Sequence, residues 1–235
     1  GIPKIRCNGK VYTELTSAKA QALLYYLAMT TLLGQPMHKR TTLAPLLWGE
    51  GSDAHARTNL RKALHQLQQH FSVYLAVDHQ CIGFAAPHLY SVDAVAFDTA
   101  LKEPQTLSLD RLQRALDLYK GDFLTGFYVR AAPDFETWML RERTRLREVM
   151  VQGIATLAHR HAKQGDLPRA IAAAQRLLHL EPWREEAHRW LMEWLAQSGQ
   201  RSAALAQYEV CCRALSAELA VEPSGATRKL YERLL

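Results

Sequence analysis

A mainly α-helical fold in two parts is predicted by three patterns: a helix pair between Thr41 and Phe71, an alternating apolar stretch directly after it, and a 34-residue internal repeat beginning near Gly165. The first two together predict an N-terminal winged helix-turn-helix with small β-hairpins over residues 1–101. The third predicts an all-α, tetratricopeptide-like helical repeat domain over residues 107–235. Helical and strand periodicity both lapse across Lys102–Ser108, KEPQTLS, which sets the boundary around Pro104.

Along the first part, Ile2–Arg6 and Lys10–Tyr12 flank Cys7-Asn8-Gly9, and Asn-Gly favours a tight hairpin turn. A helix follows from about Ser17 to Leu33, with Ala20, Leu23, Leu24, Leu27 and Thr31 at core-facing spacing and Tyr25 and Tyr26 as core or rim aromatics. Thr41 or Thr42 can cap the next helix, placing Pro45 in its first turn, and Leu43, Leu46, Leu47 and Trp48 supply its buried face. Gly49 and Gly51 let the chain turn, and Ser52 or Asp53 can cap a third helix. At about 100° per residue, Leu60, Ala63, Leu64, Leu67 and Phe71 of that helix form one stripe. Val73, Leu75 and Val77 then alternate, Asp78-His79-Gln80 makes a turn, and Cys81-Ile82-Gly83-Phe84 returns, which reads as the wing.

In the second part, Gly165-Asp166-Leu167-Pro168-Arg169-Ala170 recurs as Gly199-Gln200-Arg201-Ser202-Ala203-Ala204. The offset matches tetratricopeptide helix pairs. The first unit spans about 151–184, with Gly165 at the helix-helix turn, Ala170 at the close approach and Pro182 past the second helix. The second spans about 185–218, with Leu191, Gly199, Ala204 and Tyr208 matching; Ser216 replaces the closing Pro, so its last helix runs on toward Leu219. A degenerate pair, Leu109–Tyr119 and Phe135–Val149, would start the array, and Ala226–Leu235 would cap it. Trp183, Trp190 and Trp194 could line a concave binding surface, but at least two of the three fit inter-repeat core better, and Arg141, Arg143, Arg145 and Arg147 fit a solvated face with local ion pairs.

Opposite the leucine stripe of the third helix stand Thr58, Arg61, Lys62, His65 and Gln69, with Asn59 and Gln66 on the flank. Arg or Lys can donate to guanine, Asn or Gln can pair with adenine, and Thr serves either role. The same pattern also suits a merely solvated face. Charge permits an acidic polymer as partner: the net charge is +6, with nine basic against six acidic residues in 1–101 and twenty against seventeen after it. No stretch approaches a membrane span, no signal peptide is evident, and Cys7, Cys81, Cys211 and Cys212 show neither CxxC nor zinc spacing, which fits a reducing cytoplasm. An enzyme is disfavoured. Gly49-Glu50-Gly51 is too short for a phosphate loop, HExxH and GxSxG are absent, and His159 and His161 diverge on a helix rather than meeting at a metal. Neither cofactor nor metal is expected.

The runs LTSAKAQALLYYLAM and LAPLLWGEGSDAHARTNLRKALHQL, with the hairpin, resemble the DNA-binding domain of the antibiotic regulatory protein family of bacterial transcription activators, whose winged helix is OmpR-like. LDRLQRALDLYKGDFLTGF, WMLRERTRLREVMVQGIATLAH and AELAVEPSGATRKLYERLL resemble that family's bacterial transcriptional activator domain. The resemblance implies a cytoplasmic, sequence-specific activator that reads direct-repeat sites in double-stranded promoter DNA as a dimer, with the helical domain serving dimerisation, regulation and RNA polymerase recruitment. On that expectation Lys39, Arg40 and the helix start near Thr42 hold phosphate, while Arg57, Thr58, Asn59, Arg61, Lys62, His65, Gln66 and Gln69 read and anchor. His79 and Gln80 at the hairpin tip are further contacts, unless that tip is simply solvated. Gln68, Gln69 and His70 stand where family members often carry Arg, which removes phosphate charge. Related regulators can continue past this point into an ATPase module, so a longer native chain stays open. The alternative function is a helical-repeat signalling scaffold whose winged helix is a protein-interaction module.

Overall fold

A computed structural model describes residues 1–7, 9–85 and 89–235. The chain packs as two compact units that interleave in sequence: Gly1–Thr99 with Leu118–Arg147, and Ala100–Asp117 with Glu148–Leu235. They are therefore not two consecutive stretches of chain.

In the first unit, β1 (Arg6–Cys7) and β2 (Lys10–Val11) pair antiparallel, Arg6 opposite Val11. Asn8 of the expected Asn-Gly turn lies outside the described residues. Helix α1 (Ala18–Leu32) starts where Ser17 Oγ accepts from the Ala20 N–H at 3.4 Å. Its expected face is buried, joined by Ala22, Met29 and Thr30. A three-residue strand, β3 (Met37–Lys39), was not legible as one; it pairs with β5 (Cys81–Phe84), which also pairs with β4 (Leu75–Val77), giving the sheet order β3-β5-β4. Gly83 permits this pairing, because a Cβ there would fall 1.8 Å from the Pro36 carbonyl oxygen. The alternation begins at Leu75 rather than Val73, which is exposed in the 3-10 turn Ser72–Tyr74.

Helix α2 (Arg40–Trp48) begins before the expected threonine cap: Lys39 is its N-cap and offers no side-chain bond, Thr41 and Thr42 lie in the first turn, and Pro45 sits inside the helix. The sheet explains this start. The Arg40 N–H donates to the Gln80 carbonyl at 2.8 Å, so the hairpin takes an orphan helix donor that a side-chain cap would otherwise satisfy. Helix α3 (Asp53–Phe71) is capped by Ser52, whose Oγ accepts from the His55 N–H at 3.4 Å. Ala56, Leu60, Ala63, Leu64, Leu67 and Phe71 are buried, so the expected stripe holds and gains one turn at its N-terminal end.

Helix α4 (Asp93–Ala100) buries Val95 and Phe97. Residues 118–147 join this unit through aromatic rings: Tyr25 meets Phe127 at 5.3 Å, and Tyr26 meets Trp138 at 4.9 Å between ring centroids. Phe123 and Phe135 pack on Trp138 at 5.7 and 5.3 Å. Each such edge or tilted pair adds about 0.5–1.5 kcal/mol beyond the area it buries. The arginine run forms a local ion pair as expected, Arg145 with Glu142, and in addition braces this segment. Arg143 donates to the carbonyls of Phe123 and Leu124, and Arg145 pairs with Asp98 at 2.6 Å and Glu142 at 2.9 Å.

The second unit is all helix. Helix α5 (Leu109–Leu116) precedes α6 (Pro133–Lys163), whose residues from Glu148 onward belong here. The expected separate helix Phe135–Val149 does not exist as such. With no proline or helix-ending turn after Pro133, α6 runs unbroken for 31 residues, so the degenerate first pair is not formed. Then come α7 (Leu167–Leu180), α8 (Glu185–Gln197), α9 (Arg201–Leu219) and α10 (Gly225–Leu234). The 34-residue repeat is plain in three dimensions. Gly165 and Gly199 both turn at φ +78°, and Ala170 and Ala204 are both wholly buried. Helix α9 does run on to Leu219, where Ala220 closes it in the left-handed region. His188 is 1% exposed: its Nε2–H donates to the Pro182 carbonyl at 2.8 Å, and its Nδ1 accepts from the Gln207 amide at 2.6 Å. Burial pushes its pKa below the usual 6.5.

Candidate nucleic-acid interface

Because the inner stripe of α3 is fixed in the core, its other side is fixed outward. Arg57, Thr58, Arg61, Lys62, His65, Gln66 and Gln69 are exposed, and Asn59 is half-buried at the flank. Arg61 and Lys62 enter no ion pair among the described residues, so their charge is uncompensated locally. Arg57 lies 3.9 Å from Asp53, both exposed, a screened contact that leaves the guanidinium available. Thr58 Oγ already donates to the Ala54 carbonyl at 2.9 Å, so it is left as an acceptor. His65 and Gln69 touch at 3.2 Å and present themselves as a pair.

The wing adds a second cluster. Lys39, Thr42, His79 and Gln80 are exposed. Arg40 is different: its Nε and Nη2 donate to the Asp78 carbonyl at 3.2 and 3.0 Å. Two of its donors brace the hairpin tip, leaving the rest for other work. The tip is also fixed from within, since Asp78 Oδ1 accepts from the Cys81 and Gln80 N–H groups at 2.6 and 2.7 Å. Those bonds hold the Asp78 carboxyl below its ordinary range.

Three residues beside this face were missed by the sequence reading. Ser17, Lys19 and Trp48 line a groove of about 250 Å³ together with Asn59, Lys62, Ala63 and Gln66 of α3. The available signal was that Lys19 is the one charged residue within α1. In the other unit, a groove of about 370 Å³ is lined by Glu148, Gln152, Thr156, His159, Glu186 and Trp190, among others. Trp190 meets His159 at 4.3 Å and Trp194 at 6.1 Å; Trp194 is buried and Trp183 lies outside the groove.

A buried helix pair, a third helix with a polar outer face and a three-stranded wing, followed by tetratricopeptide-like helices, define the class: a mainly α winged-helix protein with a helical-repeat part. The chain belongs to the bacterial transcriptional activator domain family, which it matches over residues 92–235. It is 34% identical over 126 residues to the Regulatory protein AfsR of Streptomyces coelicolor; that match takes in 54% of this chain and 12% of the relative. Its fold is similar to that of EmbR from Mycobacterium tuberculosis, solved with a low-affinity phosphopeptide, with a TM-score of 0.73 and 21% identity over all of this chain and 63% of that one. The chain thus spans less than two thirds of either relative. No helix among the described residues is long and apolar enough to cross a membrane.

Proposed function

We propose that this chain is the promoter-reading part of a bacterial transcription activator, with α3 lying in the major groove. The observation that carries this reading is the outer face of α3, where Arg61 and Lys62 are exposed and outside any ion pair among the described residues, with the Gln66 amide exposed beside them and Asn59 at the flank, on a helix whose inner stripe is buried. Arg61, Asn59 and Gln66 are the base-reading candidates, with Arg57, Thr58, Lys62, His65 and Gln69 anchoring beside them. Lys39, Arg40 and Thr42 at the start of α2, with His79 and Gln80 on the wing, contact the backbone.

A single module of this kind buries only about 600–1,000 Å². Tight occupancy therefore takes two copies on a direct repeat. Residues 107–235 supply dimer contacts, regulation and RNA polymerase recruitment in the cytoplasm, and residues 1–101 hold the contacts to DNA. Family membership and the likeness to a Streptomyces regulator support this assignment. Selection of bound fragments from random duplex DNA tests it: two same-sense copies of one motif at fixed spacing are expected. Recovery without sequence enrichment, or no salt-sensitive duplex binding, overturns it and leaves a protein-interaction module.

A further inference from the structure

Lys19 sits in an unusual position for a lysine. It is half-buried at the start of α1, its Nζ donates to the Ala131 carbonyl at 3.2 Å, and it stands 5.3 Å from the centre of the Trp48 ring. No carboxylate pairs with it among the described residues, and burial lowers its pKa, with Glu50 the one acidic group acting on it from a distance. A neutral carbonyl and a ring face compensate an ammonium only in part. Across the same groove stands Lys62, exposed and also outside any ion pair, flanked by the Asn59 and Gln66 amides and the Ser17 hydroxyl. The groove thus collects two positive charges and several hydrogen-bonding groups, with no acidic residue in its lining. That balance calls for an anion.

We propose that this groove seats one phosphodiester of the DNA backbone, with Lys19 and Lys62 as its two cations. The inference rests on the DNA-reading assignment and extends it to α1. The seat adjoins α3 directly, so a strand crossing the flank of that helix reaches it without leaving the same face. Of the three donors on the Lys19 ammonium, Ala131 holds one, which aims the group, and two are left for phosphate oxygens. Ala131 is thereby a positioning residue. The seat depends on residues 118–147 being in place.

The test is the salt dependence of duplex binding, read by fluorescence anisotropy with the full chain and a selected duplex. Each neutralised phosphate contributes about 0.9 to the slope of log affinity against log salt. With one phosphate shared by two cations, Lys19→Met and Lys62→Met combined are expected to flatten that slope by about one such step and each alone by part of it, Lys19→Arg to retain it, and exposed Lys163→Met to leave it untouched. Thermal unfolding of Lys19→Met reports whether the fold is kept. A wild-type slope in Lys19→Met overturns the seat while the DNA reading stands. Absence of salt-dependent duplex binding by the wild-type chain defeats the DNA reading, and the seat with it. Saturable binding of pyrophosphate by the DNA-free chain, lost in Lys19→Met, would assign the groove to a free phosphate ligand and overturn the backbone assignment.

Discussion

Replacing Trp138 by Ala tests whether residues 118–147 are structural members of the winged-helix unit. The indole is half-buried and meets three rings, Tyr26, Phe123 and Phe135, at 4.9, 5.7 and 5.3 Å. A fully buried Trp→Ala change costs about 3–5 kcal/mol, and partial burial lowers that figure. The loss of three aromatic pairs, at about 0.5–1.5 kcal/mol each, partly restores it, so about 2–4 kcal/mol is expected. With a urea slope of about 2 kcal/mol per M, the middle of the usual range, the unfolding midpoint of this unit should fall by about 1–2 M. Hydrogen exchange locates the damage: amides of α1 should lose protection, while those of α8 and α9 should not. Unchanged exchange in α1 would refute the packing argument, because Tyr26 would then be indifferent to its principal neighbour.

Arg61→Ala should cost about 1–3 kcal/mol at a selected site if the guanidinium reads a base, measured by competition against scrambled duplex; equal loss on both duplexes reassigns it to phosphate. Gly83→Ala should destabilise the sheet by at least about 1–3 kcal/mol, since its Cβ would strike the Pro36 backbone at 1.8 Å, and thermal unfolding reads this directly. Arg40→Ala frees the hairpin tip by removing two bonds to Asp78, so amides near Gln80 should exchange faster while the unfolding midpoint shifts little. For His188, burial lowers the folded pKa below 6.5, so the unfolded chain binds the proton more readily. Its stabilisation is complete above about pH 6.5 and is lost as pH falls through and below that value. A His188→Gln chain should show a flatter pH dependence of unfolding over that window.

Much of the fold was legible because burial follows period. The α3 stripe from Leu60 to Phe71, the α1 face from Ala20 to Thr31 and the paired Gly165 and Gly199 turns all follow from residue spacing and residue size. What was not legible depends on partners distant in sequence. Strand β3 is three residues long and exists because β5 pairs with it; α2 starts at Arg40, with Lys39 as its N-cap, because the Gln80 carbonyl satisfies the Arg40 N–H. The same holds for the interface. The exposed set on α3 could be projected from a helical wheel, whereas the commitment of Arg40 to Asp78 and the entry of Lys19 into a groove with Lys62 arise only when separate elements meet. Likewise, ring partners for Tyr25 and Tyr26 could be anticipated as a need, but not as Phe127 and Trp138, about a hundred residues downstream.

Interleaving in sequence also sets an order of events during synthesis. When α4 has emerged from the ribosome, the rings of Tyr25 and Tyr26 still lack Phe127 and Trp138, and the next residues made, Ala100–Asp117, belong to the other unit. At about 5–20 residues per second, the stretch through Arg147 takes a few seconds to follow. Throughout that interval the winged helix presents an unfinished aromatic face. Completion of this unit therefore waits on residues made after part of the other unit, and a synthesis arrest before Trp138 would strand it with that face open to chaperones and proteases.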